Sequence, residues 1–277
     1  LSGELLSIGP PKRVDVALRV ARMTSTRPSA PSDVDTLLRL LTADPGRPRL
    51  TWYGDDGERV ELSGAVLENW VNKTTNLLVE ELDVGPGTRV ALDLPAHWRT
   101  VLWTLATWRA GASAVVGTDE VEPDVVVTSR PDASAAPGRG PALVVVTLAA
   151  LARRAPDPVP PGAIDAAAAV MTYGDRLGWV PPAEAAQTAL GTAGTPVTHA
   201  ELAAWWAPDD ERERVLLGAS PDVAGWLRDV CRTLAGDGSL VLLSPARATH
   251  LAQPGSADEL ARLVAGERIT RTVLGTT

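Results

Sequence analysis

The sequence predicts an α/β fold of parallel sheet layers covered by helices. Three observations predict it. Short, continuously apolar runs recur at "ASAVVG" (112–117), "PDVVVTS" (123–129), "PALVVVT" (141–147) and "SLVLLS" (239–244), the pattern of strands buried on both faces. Segments with apolar residues at helical spacing lie among them. The last third keeps a rhythm of strand, helix, strand, helix, strand, which implies parallel pairing through right-handed crossovers.

Taken in order, residues 1–33 read as a flexible leader. Residues 1–22 precede the first methionine, Met23, and Arg13, Asp15, Arg19 and Arg22 break up their apolar residues, so they suggest an upstream extension or an over-called start rather than a signal peptide. The ordered body is expected over 34–277. "VDTLLRLL" (34–41) reads as a short amphipathic helix, and "RLTWYGDDGERVELSG" (49–64) as a hairpin turning at Asp56-Gly57. Ser63 is placed to cap a helix in which Leu67, Trp70, Val71, Leu77, Leu78 and Leu82 recur at helical spacing. "TRVALDL" (88–94) is a strand, and "WRTVLWTLATWRAG" (98–111) a helix closed by Gly111. "RPDASAAPGRG" (130–140) reads as a surface loop and "RRAPDPVPPG" (153–162) as a proline-rich connection. A helix is expected from about Ile164, another over 199–206, a strand at 214–220 and a helix at 222–236. Ser256 and Glu259 are spaced as a capping box for a helix over 256–267, and "ITRTVLGT" (269–276) is the last strand.

The bulk numbers exclude several classes. The formal net charge of −8 over 277 residues supplies no basic face for nucleic acid, and no apolar run reaches the length of a membrane span. The one cysteine, Cys231, cannot form an internal disulfide; beside the apolar face of Val223, Trp226, Val230 and Leu234 it reads as a small core residue, in keeping with a reducing, cytoplasmic compartment. The only lysines are Lys12 and Lys73, in a composition suggestive of a GC-rich bacterial genome.

"LDVGPGTRVALDLPAHWRTVLWTLATWRAGASAVVGTD" (82–119) keeps an ordered register of helix, "VGPG" turn, strand, "LPAH" bend and "WRAGA" helix end. That register resembles the N-terminal part of the AMP-binding superfamily: acyl-CoA synthetases, luciferases and adenylation domains. "VTHAELAA" (197–204) is similar to the family's segment after its phosphate loop, and 213–244 and 257–277 are similar to the stretches that follow. The chain is also similar to a group of uncharacterised actinobacterial proteins related to this superfamily. The resemblance implies the fold of the N-terminal subdomains and a phosphate loop at Gly191, Thr192, Gly194 and Thr195.

The departures from the family are specific. Its loop, close to "TSGTTGxPKG", brings backbone N–H groups and a lysine to ATP phosphates. Here "ALGTAGTPVTH" (189–199) keeps the small residues but lacks the Lys-Gly. The family's adenine-, magnesium- and ribose-binding segments and its mobile lid lie beyond the point where this sequence ends. The resemblance therefore implies a truncated, non-catalytic relative acting as a binding or regulatory module, with no cofactor expected, ATP or AMP at most, and a small-molecule, nucleotide or protein partner. The alternative is ATP-dependent carboxylate activation, weak or completed by a partner chain.

Other candidates read as structural. His199 starts a helix, His97 precedes one, and His250 is expected in a loop; without a GxSxG elbow they give no Ser-His-Asp triad and no metal spacing. Trp205 and Trp206 are adjacent, so one of them is a candidate contact surface for a partner.

Overall fold

Trp52, Leu50 and the aliphatic runs of the hairpin cannot be covered by the hairpin alone, and the chain solves this by pairing its early strands with its last ones. The computed structural model describes residues 31–117, 121–131, 140–210 and 212–274. Most of the expected leader, most of the loop at 130–140 and the last three residues lie outside these. Two residues of the expected leader take part in the fold: Asp33 caps the first helix, and the Pro31 carbonyl accepts a 2.8 Å hydrogen bond from Trp206 Nε1.

The chain begins with helix α1 (Val34–Thr42), hairpin β1 (Pro48–Tyr53) and β2 (Arg59–Ser63), and the long helix α2 (Gly64–Leu82). Ser63 Oγ accepts from Val66 N, as its position predicts. A run of β3 (Arg89–Asp93), α3 (Trp98–Arg109), β4 (Ser113–Val115), β5 (Val125–Thr128), β6 (Ala142–Val145) and β7 (Ile164–Asp165) follows. The expected helix at 164 is only one turn, α4 (Ala166–Ala169), because Ile164 and Asp165 join the sheet first. Strands β8 (Thr188–Gly191) and β9 (Val197–Thr198) flank the glycine loop, and α5 (Leu202–Trp205) is short. The last third gives β10 (Arg214–Leu217), α6 (Val223–Ala235), β11 (Ser239–Leu243), α7 (Pro245–Leu251), α8 (Ala257–Gly266) and β12 (Arg271–Val273).

Two sheets result. The seven-stranded one has the order β7-β6-β5-β3-β4-β8-β9, parallel except for β8–β9, and the five-stranded one has the order β12-β10-β11-β1-β2, parallel except for β1–β2. Helices α1, α2, α3 and α6 contact one another or the sheets between which they lie. Alternation along the strands divides the apolar residues by face. Val215, Leu217, Leu240 and Leu242 join the main core, while Leu216, Val241 and Leu243 pack outward on Ala248, Leu251, Leu260 and Leu263 of α7 and α8.

Two expectations need correction. Residues 245–251 are a helix rather than a loop, with Ser244 Oγ as N-cap and Pro245 at its first position, so His250 lies in a last helical turn. Ser256 makes no side-chain cap, because Glu259 is drawn instead to His250 (2.8 Å) and Arg247 (2.5 Å).

The join between α1 and α2 is tight. A Cβ on Gly64 would stand 2.3 Å from the Leu41 carbonyl oxygen. That oxygen also accepts from Nε and Nη2 of Arg49, so it is poorly placed to move. Gly64→Ala is expected to cost about 1–3 kcal/mol, read as a lower urea midpoint with an unchanged m-value.

Candidate functional site

The C-terminal ends of parallel strands are where open α/β sheets bind ligands. Here the ends of β3, β4, β10 and β11 meet around a cleft of about 920 Å³. Its walls are small and apolar: Ala91 and Val115 from one sheet, Val223 from the start of α6, Ala248 and Ala252 from α7 and just beyond it. Its charged lining residues are Asp93 and Arg130. Asp93 accepts from Arg130 Nη2 at 2.7 Å and from Thr128 Oγ1 at 2.6 Å, which holds the guanidinium at the rim.

The glycine loop leaves the sheet one strand away. Gly191 pairs with Val115, and its carbonyl accepts from Val116 N. Gly191, Thr192, Gly194 and Thr195 do not line the cleft; residues 193–196 stand exposed beside it. Part of the loop's donor set is used internally. Gly194 N donates to Thr192 Oγ1 at 3.1 Å, and Pro196 has no N–H. Thr198 N and Thr198 Oγ1 both donate to Glu201, at 2.9 and 2.8 Å. These two bonds hold the Glu201 carboxyl below its usual range, so the loop ends beside an anion. Neither Gly191 nor Gly194 has a positive φ, and a Cβ on Gly194 would meet only Thr192 Oγ1, at 3.6 Å.

The histidines separate. His199 Nε2 is buried without a partner; burial lowers its pKa, and the nearby Gly111 and Ala112 carbonyls oppose the shift. His250 stands 2.8 Å from Glu259 and 3.4 Å from Ser256 Oγ, but both meet the same nitrogen, Nε2. A relay needs the two partners on opposite nitrogens. No group of three His, Cys, Asp or Glu residues among those described could hold a metal. Cys231 is buried, and burial pushes its thiol well up, as its place on α6 predicts.

Lys73 cannot replace the missing loop lysine. Its Nζ is held by the Tyr173 carbonyl (2.5 Å) and Asp175 (2.9 Å). It belongs to a clamp in which Asn72 and Asn76 of α2 bind the Asp175 and Arg176 carbonyls, fastening residues 173–178 to the helix. The adjacent tryptophans differ in exposure, Trp205 being partly exposed. Trp206 is fully buried, and Trp205 packs edge-on against Trp108 at 5.8 Å. The exposed tryptophan is Trp179, at 77%. No signal in its irregular segment distinguished it.

No family model matches the chain. Over 150 residues it is 39% identical to a TIGR03089 family protein of Mycobacterium tuberculosis, a match covering 50% of this chain and 58% of the relative. Its structure is similar to the crystal structure of Brucella canis acyl-CoA synthetase, with a TM-score of 0.60 and 19% sequence identity, over 87% of this chain and 50% of that one. The chain thus spans about half the length of the solved enzyme it matches. No helix among the described residues is long and apolar enough to cross a membrane. The chain has an acyl-CoA-synthetase-like α/β fold and is similar in sequence to an actinobacterial TIGR03089 family protein.

Proposed function

We propose that this chain is a ligand-binding or regulatory module built on an adenylate-forming fold, without adenylation chemistry of its own. The carrying observation is the loop after β8. Where a phosphate would need free N–H groups and a cation, Gly194 N and Thr198 N are already bonded and Glu201 supplies a negative charge. The cleft supports the binding half of the reading. Its apolar walls, with Arg130 at the rim, suit an apolar molecule that carries a carboxylate.

ATP–pyrophosphate exchange across a panel of carboxylic acids tests the first half. Exchange at the no-enzyme background is expected. Turnover above it would favour carboxylate activation, the reading that the retained cleft at the strand ends supports. Thermal unfolding tests the second half. A carboxylate that fills the cleft should raise Tm by roughly 5 °C at a hundred times its Kd, with Mg-ATP giving no shift. A shift with Mg-ATP alone would overturn the account of the loop.

A further inference from the structure

A separate pocket of about 540 Å³ lies between the β1–β2 hairpin and the segment that follows β6. It shares Pro95, Ala96 and Pro245 with the rim of the cleft but has different polar groups. Asp55, Glu58, His97 and Ser244 line it, with Trp52 and Leu148 as apolar wall.

His97 is only 4% exposed. It is the N-cap of α3: its Nδ1 accepts from Arg99 N at 3.1 Å. That bond uses the Nδ1 lone pair and places the proton of the neutral ring on Nε2. Burial, with the Arg99 charge beside it, holds the pKa down to about 3, so the ring stays neutral. Trp52 packs edge-on against it, with ring centroids 4.3 Å apart. The Nε2–H has no partner among the described residues, and the ring lines the pocket.

The acceptors opposite are anionic. Asp55 accepts from Ser244 Oγ at 2.6 Å through Oδ1 only. Glu58 is fixed by Trp52 Nε1 (3.0 Å) and Ala150 N (2.8 Å). Gly54 permits this, since a Cβ there would stand 2.7 Å from Glu58 Oε2. Among the described residues neither carboxylate forms a salt bridge. The nearby cations are engaged: Arg247 is bound to Glu259, and Arg99 donates to the Ala149 carbonyl and lies over Trp98.

We propose that this pocket is a second binding site, for a small primary amine that carries an accepting oxygen. The ammonium group sits on Asp55, and the oxygen takes the Nε2–H of His97. A neutral donor and an unpaired carboxylate in one apolar-walled recess select for a molecule that presents both chemistries at once.

The test is an NMR titration of the full chain with glycinamide, reading the Trp52 indole and His97 ring signals. A saturable shift with a millimolar dissociation constant is expected. Acetamide, which has the oxygen without the ammonium, should bind at least tenfold more weakly. Asp55→Asn keeps the Ser244 bond on an exposed turn, so it should fold, and it should weaken glycinamide at least tenfold. His97→Asn keeps a capping side chain and removes the Nε2–H; it should narrow the preference for glycinamide over methylamine. No saturable shift, equal binding of acetamide, or an unchanged Asp55→Asn titration overturns the proposal. None of these outcomes depends on the cleft or the glycine loop, so the two readings fail separately.

Discussion

Asp237→Ala should lower the unfolding free energy by about 3–5 kcal/mol, the largest single-residue loss expected in this chain. Asp237 sits in the turn between α6 and β11 with φ of +57°, and three guanidinium groups converge on its carboxylate: Arg47 at 3.3 Å, Arg49 at 2.7 Å and Arg212 at 3.1 Å. Arg49 is the one that matters, because it is 1% exposed. Its other donors go to the carbonyls of Leu41, Asp237 and Gly238, which ties the end of α1 to the start of β11. Removing the carboxylate leaves a guanidinium that cannot shed its charge buried against carbonyl dipoles alone. Asp237→Asn separates the terms: asparagine tolerates the left-handed backbone and keeps an acceptor, so only the charge is lost, and about half the effect is expected. Urea denaturation of the three proteins reads this directly. A loss under 1 kcal/mol for Asp237→Ala would show that the buried Arg49 does not depend on the Asp237 charge.

The second large effect is on pH. His97 has a folded pKa of about 3 against an ordinary 6.5, so below pH 6.5 the unfolded chain binds a proton that the folded chain refuses. Stability must then fall as pH falls, by roughly 1.4 kcal/mol per unit, and by about 2 kcal/mol between neutrality and pH 5. The lowered pKa of half-buried His199 acts in the same direction. Carboxylates whose folded pKa is lowered, such as Glu267 and Asp33, lose their contribution only further down, near and below the ordinary carboxylate range. His97→Asn should flatten most of the slope between pH 6.5 and 5 while retaining the cap on α3. Chemical denaturation at several pH values in that window decides it; an unchanged slope would show that His97 titrates normally.

The fold was legible wherever burial imposes a local period. The strands at 112–117, 123–129, 141–147 and 239–244, and the helices at 34–41, 98–111 and 222–236, follow from side-chain spacing that one segment contains. Helix α7 was not legible by that route, because only Ala248 and Leu251 of it are buried. Its caps, Ser244 and Pro245, were the readable signal. Ser256 and Glu259 misled for the opposite reason: the spacing of a capping box was present, but a tertiary partner, His250, competed for the carboxylate.

The sites were less legible. The glycine loop could be found from its residue types, but not the fact that Thr192 Oγ1 takes up Gly194 N and Glu201 takes up Thr198 N. Asp55, His97 and Ser244 are separated by 42 and 147 residues along the chain and share no motif. Only the pairing of β1 with β11 brings the first and last of them together, with Ser244 N bonded to the Tyr53 carbonyl at 3.0 Å.

That same pairing has a consequence for how the protein is made. Tyr53 faces Leu243 across the ladder, so β1 leaves the ribosome roughly 10–40 s before its neighbour, at the usual rates of synthesis. Through that interval helices α1, α2 and α3 emerge and can cover one face of the hairpin. They cannot satisfy the backbone edge of Leu50–Tyr53, which has no other strand to meet. A nascent chain short of residue 243 therefore carries an open apolar edge, the kind of surface that chaperones shield and that neighbouring nascent chains would otherwise find first.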